Sequence, residues 1–264
     1  MTVETTVELH HVFEGPEDAP VLVMANSLGT TLRMWDDQAP ELRERFRLLR
    51  YDHRGHGGSP VPPGFYKIED LGRDALAMLN RLGIERFSFC GLSIGGMVGM
   101  WLASEVPERV ESLVLCCTSA LLGPRELWDE RIQVATEQGM EALVDSVIAR
   151  WFTPEFFSAN PEAVEKAAGM LRETNPEGYA GCCAAIRDMD LRSRLSSITA
   201  PTLIIAGAED PATPPEHGEL IHGSIAGSDF EVVPEASHLA NMERSETVTR
   251  AILGHLVPVI RQER

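Results

Sequence analysis

Short apolar runs recur along the chain at residues 21–25, 47–51, 86–90, 112–117, 202–206 and 229–233. Their near-continuous character is that of strands buried on both faces. Between most of them the apolar positions change to helical spacing, over residues 34–46, 68–82 and 93–104, with a further helical stretch at 245–256 after the last. Strands alternating with helices predict an α/β protein with a mostly parallel sheet covered on both faces. Alternation within residues 5–13 predicts an early strand pair.

Residues 122–190 break this rhythm. They contain no strand pattern and read as four helices, at 124–138, 140–150, 161–173 and 176–189. Pro124, Pro161 and Pro176 suit first-turn positions, and Asn160 and Asn175 are candidate N-caps. The expected organisation is a core formed by residues 1–121 and 191–264, interrupted by a helical cap at 122–190. Such an insertion would cover the sheet's C-terminal edge, where open α/β sheets bind ligands.

The chain of 264 residues is long enough for one large domain, and its 44% hydrophobic and 24% charged content is ordinary for a globular protein. The formal net charge of −17 argues against nucleic acid or an anionic membrane surface as partner. A small anionic substrate stays open, because one local arginine outweighs a diffuse, screened field. The start, Met1-Thr2-Val3-Glu4, shows no leader pattern, and no apolar run reaches the ~20 residues that span a bilayer. Cys90, Cys116, Cys117, Cys182 and Cys183 fit neither a disulfide framework nor zinc-ligand spacing, so buried thiols in a reducing cytoplasm are expected.

Chemistry enters at Gly91-Leu92-Ser93-Ile94-Gly95, which matches G-x-S-x-G between a strand-like and a helix-like run. A serine hydroxyl attacks poorly unless it is held exposed beside a base and near donors for the developing oxyanion. A tight strand-to-helix turn supplies that exposure, and glycine at 91 and 95 avoids crowding it. A base and an orienting acid should then follow in the order Ser, Asp or Glu, His. The strand at 202–206 runs into Glu209 and Asp210, and the strand at 229–233 leads to His238. Asp210 is preferred to Glu209 because it lies one residue further past the strand and opens an Asp-Pro turn. His217 and His222, on a helical stretch, read as surface residues.

The oxyanion hole should join the Ile94 N–H to one from Asn26-Ser27-Leu28-Gly29, with Leu28 favoured and Ser27 the alternative. Asp52-His53-Arg54-Gly55-His56-Gly57-Gly58-Ser59 places two histidines beside an acid. It reads better as a Gly-rich structural turn held by Asp52 and Arg54 than as catalytic machinery.

Together with Gly-Ala-Glu-Asp-Pro-Ala-Thr-Pro-Pro at 207–215, these motifs resemble the α/β-hydrolase superfamily. Cap segments narrow the resemblance to 3-oxoadipate enol-lactonases: Gly123-Pro124 with Trp128, Arg150-Trp151-Phe152-Thr153-Pro154, and the stretch from Tyr179 to Asp188. Serine at 93 separates the chain from haloalkane dehalogenases and epoxide hydrolases, which use aspartate, and from dienelactone hydrolases, which use cysteine. The resemblance implies a serine hydrolase that opens a carboxylated enol-lactone through an acyl-enzyme, with no metal or organic cofactor. A substrate carboxylate calls for a cationic partner. Arg150, beside Trp151, is the first candidate and Arg131 the second, with surface salt bridges as the competing role for both. Ser27, Trp128, Arg131, Arg150 and Trp151 are thus the candidate substrate-binding residues. A carboxylesterase of other specificity and a non-catalytic binding protein on the same scaffold are the rival readings.

Overall fold

The computed structural model describes residues 6–262; residues 1–5, which bear on the leader and early-strand expectations, lie outside them. Seven strands form one sheet: β1 (His11–Glu14), β2 (Val21–Ala25), β3 (Arg47–Tyr51), β4 (Phe87–Leu92), β5 (Val110–Cys116), β6 (Thr202–Gly207) and β7 (Asp229–Val233). Their order is β1-β3-β2-β4-β5-β6-β7, with β1 antiparallel to β3 and every other pairing parallel. Every residue of β4 and β6 is buried, as both-face coverage requires. The mostly parallel sheet expected from the strand–helix alternation is observed, and it has the α/β-hydrolase architecture that the motif resemblance implies.

The helices are α1 (Ala39–Leu42), α2 (Ile68–Arg81), α3 (Ile94–Glu105), α4 (Arg125–Gln138), α5 (Val144–Trp151), α6 (Pro154–Ala159), α7 (Pro161–Glu173), α8 (Pro176–Asp188), α9 (Pro215–Ser224), α10 (Ala240–Glu243) and α11 (Ser245–Gln262). In α2 the buried positions Ile68, Leu71, Ala75, Met78 and Leu79 recur at helical spacing, which gives the helix one core-facing stripe. Helices α4 to α8 lie between β5 and β6. The chain's departure and return are adjacent, since Leu191 N–H donates to Ala120 O at 2.8 Å. All five cysteines are buried free thiols. No helix among the described residues is long and apolar enough to cross a membrane.

Local structure departs from expectation in several places. Among the described residues only β1 forms near the N-terminus, and residues 6–10 are irregular because side chains take their donors: Val7 N–H donates to Asp74 Oδ1 (2.8 Å) and His10 N–H to Ser59 Oγ (2.9 Å). Residues 34–46 are not one helix. A 3-10 turn at Leu32–Trp35, begun by the Thr31 side chain, is followed by the four-residue α1, which starts around Pro40. Residues 140–150 split into a 3-10 turn and α5, and α6 was not expected at all. Pro161 and Pro176 occupy first-turn positions, but Pro124 is the residue before α4. Asn175 caps α8 through its side chain, whereas Asn160 makes no capping bond.

Candidate active site

At the C-terminal end of β4 the chain turns into α3 within one residue. Ser93 makes that turn with φ 57° and ψ −118°, a conformation that costs a non-glycine residue about 1–3 kcal/mol. Its surroundings hold it there. Ser93 N–H donates to Cys116 O (3.0 Å), and Ser93 O accepts from Met97 N–H (3.0 Å) and from the Thr118 hydroxyl (2.6 Å). A Cβ at Gly91 would overlap the backbone of Gly95 and Gly96, and one at Gly95 would overlap the carbonyls of Ala25 and Asn26. Any side chain at either position would push the serine out of place.

His238 and Asp210 follow β7 and β6 respectively, and both are buried. His238 Nδ1 lies 2.8 Å from Asp210 Oδ2. The remaining capacity of the carboxylate is filled by Ala212 N–H (2.7 Å) and Thr213 N–H (3.0 Å) on Oδ1 and by the Thr213 hydroxyl (2.7 Å) on Oδ2. Burial alone would raise the Asp210 pKa; the His238 charge and these donors outweigh it and hold the carboxyl below its usual 3.8. Glu209 is exposed, so it is Asp210 that meets the histidine. Thr213 was not anticipated, although a threonine three residues after an aspartate in a Pro-containing turn is a recognisable turn signal. His222 is exposed as expected, but His217 is only half-exposed because its Nδ1 engages Ser119 Oγ at 2.7 Å.

The backbone donors near the serine differ in what already occupies them. Ser27 N–H is occupied by Met34 Sδ (3.2 Å), Gly29 N–H by His56 Nε2 (2.9 Å), and Gly95 N–H by Asn26 O (3.1 Å). Among the described residues, no protein acceptor is recorded for the N–H groups of Leu28 and Ile94. This favours Leu28 over Ser27 as the second oxyanion donor.

The segment from Asp52 to Ser59 braces this loop. Asp52 accepts from Leu32 N–H (2.7 Å) and Gly58 N–H (3.0 Å), and Arg54 makes a two-pronged contact with Asp74 (2.6 and 2.8 Å). Because His56 Nε2 accepts from Gly29, its proton sits on Nδ1, facing Arg54 O at 3.3 Å. Burial pushes the His56 pKa down to about 4; burial and the neighbouring His56 push His53 down to about 3. Both are therefore neutral supports for the loop.

Ser93 and His238 line a single cavity together with Ser27, Leu28, Trp128, Arg131, Arg150 and Trp151. All the candidate substrate-binding residues thus meet in one place. Trp128 is fixed by a bond from Nε1 to Leu122 O (3.0 Å). Arg131 has its guanidinium 5.3 Å from the Trp128 ring and 3.5 Å from the Tyr179 hydroxyl. Arg150 donates from Nη2 to Pro211 O (3.2 Å), while its buried Nε has no acceptor. Neither arginine has a carboxylate within ion-pair distance among the described residues. Burial, and then the nearby charge of Arg131, lower the Arg150 pKa, as expected when two cations face one space. No cluster of three or more His, Cys, Asp or Glu side chains among the described residues is arranged to hold a metal ion.

A family model described as the α/β hydrolase fold matches residues 20–245. The chain is 40% identical to 3-oxoadipate enol-lactonase 2 of Acinetobacter baylyi over 246 residues, which is 93% of this chain and 92% of that protein. Among solved structures it resembles the enol-lactonase from Burkholderia xenovorans LB400, with a TM-score of 0.93 and 40% identity, covering 95% of this chain and 97% of that one. It also resembles a hydrolase from Pseudomonas aeruginosa, with a TM-score of 0.91 and 46% identity, covering 95% and 94%.

Proposed function

The chain belongs to the α/β-hydrolase fold family, and from that premise we propose that it is a serine carboxylic-ester hydrolase that opens 3-oxoadipate enol-lactone to 3-oxoadipate in aromatic catabolism. The observation that carries the substrate class is the pair of arginines, Arg131 and Arg150, that line the same cavity as Ser93 and His238 with no recorded carboxylate of their own. A small lactone bearing one free carboxylate supplies the missing acceptor. Identity with named enol-lactonases over nearly the whole chain supports the same reading.

Ser93 is the nucleophile, His238 the base and Asp210 the group that fixes the imidazole tautomer. Ser93 attacks the lactone carbonyl while His238 takes its proton, and the N–H groups of Leu28 and Ile94 receive the oxyanion. The ring C–O bond then breaks with an enolate leaving. Its charge is delocalised, so it departs readily, and the proton that His238 took from Ser93 passes to it, which leaves the imidazole neutral again. Ketonisation removes the oxygen that could reclose the ring. His238 next deprotonates a water that hydrolyses the acyl-enzyme and returns Ser93 to its starting state. Residues 122–190 serve as the cap, placing Arg131, Arg150 and the two tryptophans over the serine.

The test is a comparison of kcat/KM for 3-oxoadipate enol-lactone, a neutral lactone of similar size and p-nitrophenyl acetate. The carboxylated lactone should be preferred over the neutral one by about tenfold or more, the least that a charged hydrogen bond contributes. Equal values for the two lactones would instead mark a general esterase. No turnover of any of the three would mark a binding protein.

A further inference from the structure

The loop that presents His238 is fastened to the segment that presents Arg150. Ser237 Oγ–H donates to Arg150 O (3.0 Å), and Leu239 N–H donates to Trp151 O (3.0 Å). Between these two ties lies a carboxylate. Glu243, in α10 just beyond the loop, accepts Ser237 N–H on Oε2 (2.7 Å). Its Oε1 accepts Thr153 N–H (3.0 Å) and the Thr153 hydroxyl. The residues on either side of the histidine are thus bonded to residues 150 and 151, and Glu243 bridges Ser237 to Thr153 with one side chain.

Glu243 is 5% exposed, and no lysine, arginine or histidine is recorded as its ion-pair partner among the described residues. Burying a carboxylate without a counter-ion is costly unless donors saturate it. Here three donors do so, two from the cap side and one from the base loop. Its acceptor-only character suits this place, because all three facing groups donate. A glutamine would turn one of its two ends into a donor against another N–H.

We propose that Glu243 is a positioning residue that holds the His238 loop in register with the Arg150–Thr153 segment, so that substrate reading and proton transfer share one rigid frame. This rests on the reading of His238 as the base. Glu243 touches no reacting atom. It acts by fixing Ser237, one residue before the base, against Thr153, three residues after Arg150. The consequence is a loss of rate that does not depend on the substrate's charge, unlike the loss expected at Arg150 itself.

The test uses Glu243→Gln, Thr153→Val and Thr153→Ser in the full chain, with active serines counted by diisopropyl fluorophosphate titration and folding followed by circular dichroism. Glu243→Gln should lower kcat per titrated serine by about 10–100-fold on both the carboxylated lactone and p-nitrophenyl acetate, with KM within about threefold, the scale set by a misplacement of about 1 Å. Thr153→Val, which keeps the Ser237 tie, should lower it less, and Thr153→Ser, which keeps the hydroxyl, should match wild type. Wild-type kcat per titrated serine in Glu243→Gln would overturn the proposal, since a merely structural role lowers only the number of active molecules. So would a loss confined to the carboxylated substrate. If Glu243→Gln does not fold, the Thr153 pair decides, and equal rates for Val and Ser would overturn it. His238→Gln run alongside separates the two claims: activity retained there refutes the base, whereas a silent Glu243→Gln beside an inactive His238→Gln refutes only the clasp.

Discussion

Truncating Arg150 to alanine removes a half-buried guanidinium from the cavity wall while leaving the backbone of its segment intact. That separation makes the variant informative. The carbonyls of Arg150 and Trp151 hold Ser237 and Leu239, and alanine preserves both bonds. What is lost is the 3.2 Å contact to Pro211 O and a cation whose Nε has no protein acceptor. Hydrogen bonds to a charged group contribute about 1.5–3 kcal/mol, and about 1.4 kcal/mol is tenfold in rate, so loss of a substrate carboxylate contact corresponds to roughly 10–150-fold in kcat/KM. Arg131 lies close enough for its charge to lower the Arg150 pKa, and it remains in the variant. The single substitution should therefore fall in the lower part of that range, about 10–30-fold, with Arg131→Ala/Arg150→Ala losing more than the sum of the two single effects if the arginines substitute for one another. Turnover of p-nitrophenyl acetate should stay within about threefold, because that ester offers no carboxylate to lose. Measuring kcat/KM for both substrates on the two single variants and the double variant gives the result. Equal loss on both substrates at position 150 would show that the side chain supports the fold, and the charge-reading argument would be refuted.

Ser93→Ala should fold normally and lose nearly all hydrolysis, leaving only the roughly 10³–10⁴ over water that an oxyanion hole and binding provide; a variant with a tenth of wild-type turnover would remove Ser93 as nucleophile. Asp210→Asn should cost about 10⁴ in kcat by permitting the wrong His238 tautomer, whereas Glu209→Gln, altering an exposed side chain, should be near wild type, and the reverse order in steady-state assays would reassign the acid. For pH, the folded-state pKa values of His56 and His53, about 4 and about 3, lie below the ordinary 6.5, so the unfolded chain binds more protons between those values. Their contribution to stability is complete above about pH 6.5 and is lost as pH falls toward 4 and below, so thermal midpoints should drop across that window, and less so in His53→Phe; an unchanged slope in that variant would contradict neutral burial.

The parts of the site that were legible in the sequence are those whose geometry is local. Glycines at 91 and 95 announce a turn that tolerates no side chain, and the overlaps at Gly95 and Ala25 show why. Asp210 and His238 were legible because a strand's end fixes where the next residues can lie, whatever else the fold does. The segment at 34–46 misled because Leu32, Met34 and Trp35 are all buried, so apolar spacing there reports enclosure on every side and not one face of a long helix. His56 was recognised as structural, but not as the acceptor for Gly29, since nothing in Arg-Gly-His-Gly states which backbone will lie opposite. Glu243 was invisible for the same reason on a larger scale: its partner Thr153 is 90 residues away, and only the closed fold brings a charge-rich Met-Glu-Arg stretch against it.

The bond from Leu191 to Ala120 closes the excursion between β5 and β6 at its base. A stretch of chain whose two ends already meet imposes no span on whatever joins them, so its length can change while the strands stay in register, provided that its ties to the His238 loop are kept. Ser93, Asp210 and His238 follow strands of the sheet, whereas Arg131 and Arg150 lie within the excursion. A protein engineer seeking a new substrate would exchange the segment between Ala120 and Leu191, and would have to carry a threonine at the position facing Glu243 to keep the graft in step with the base.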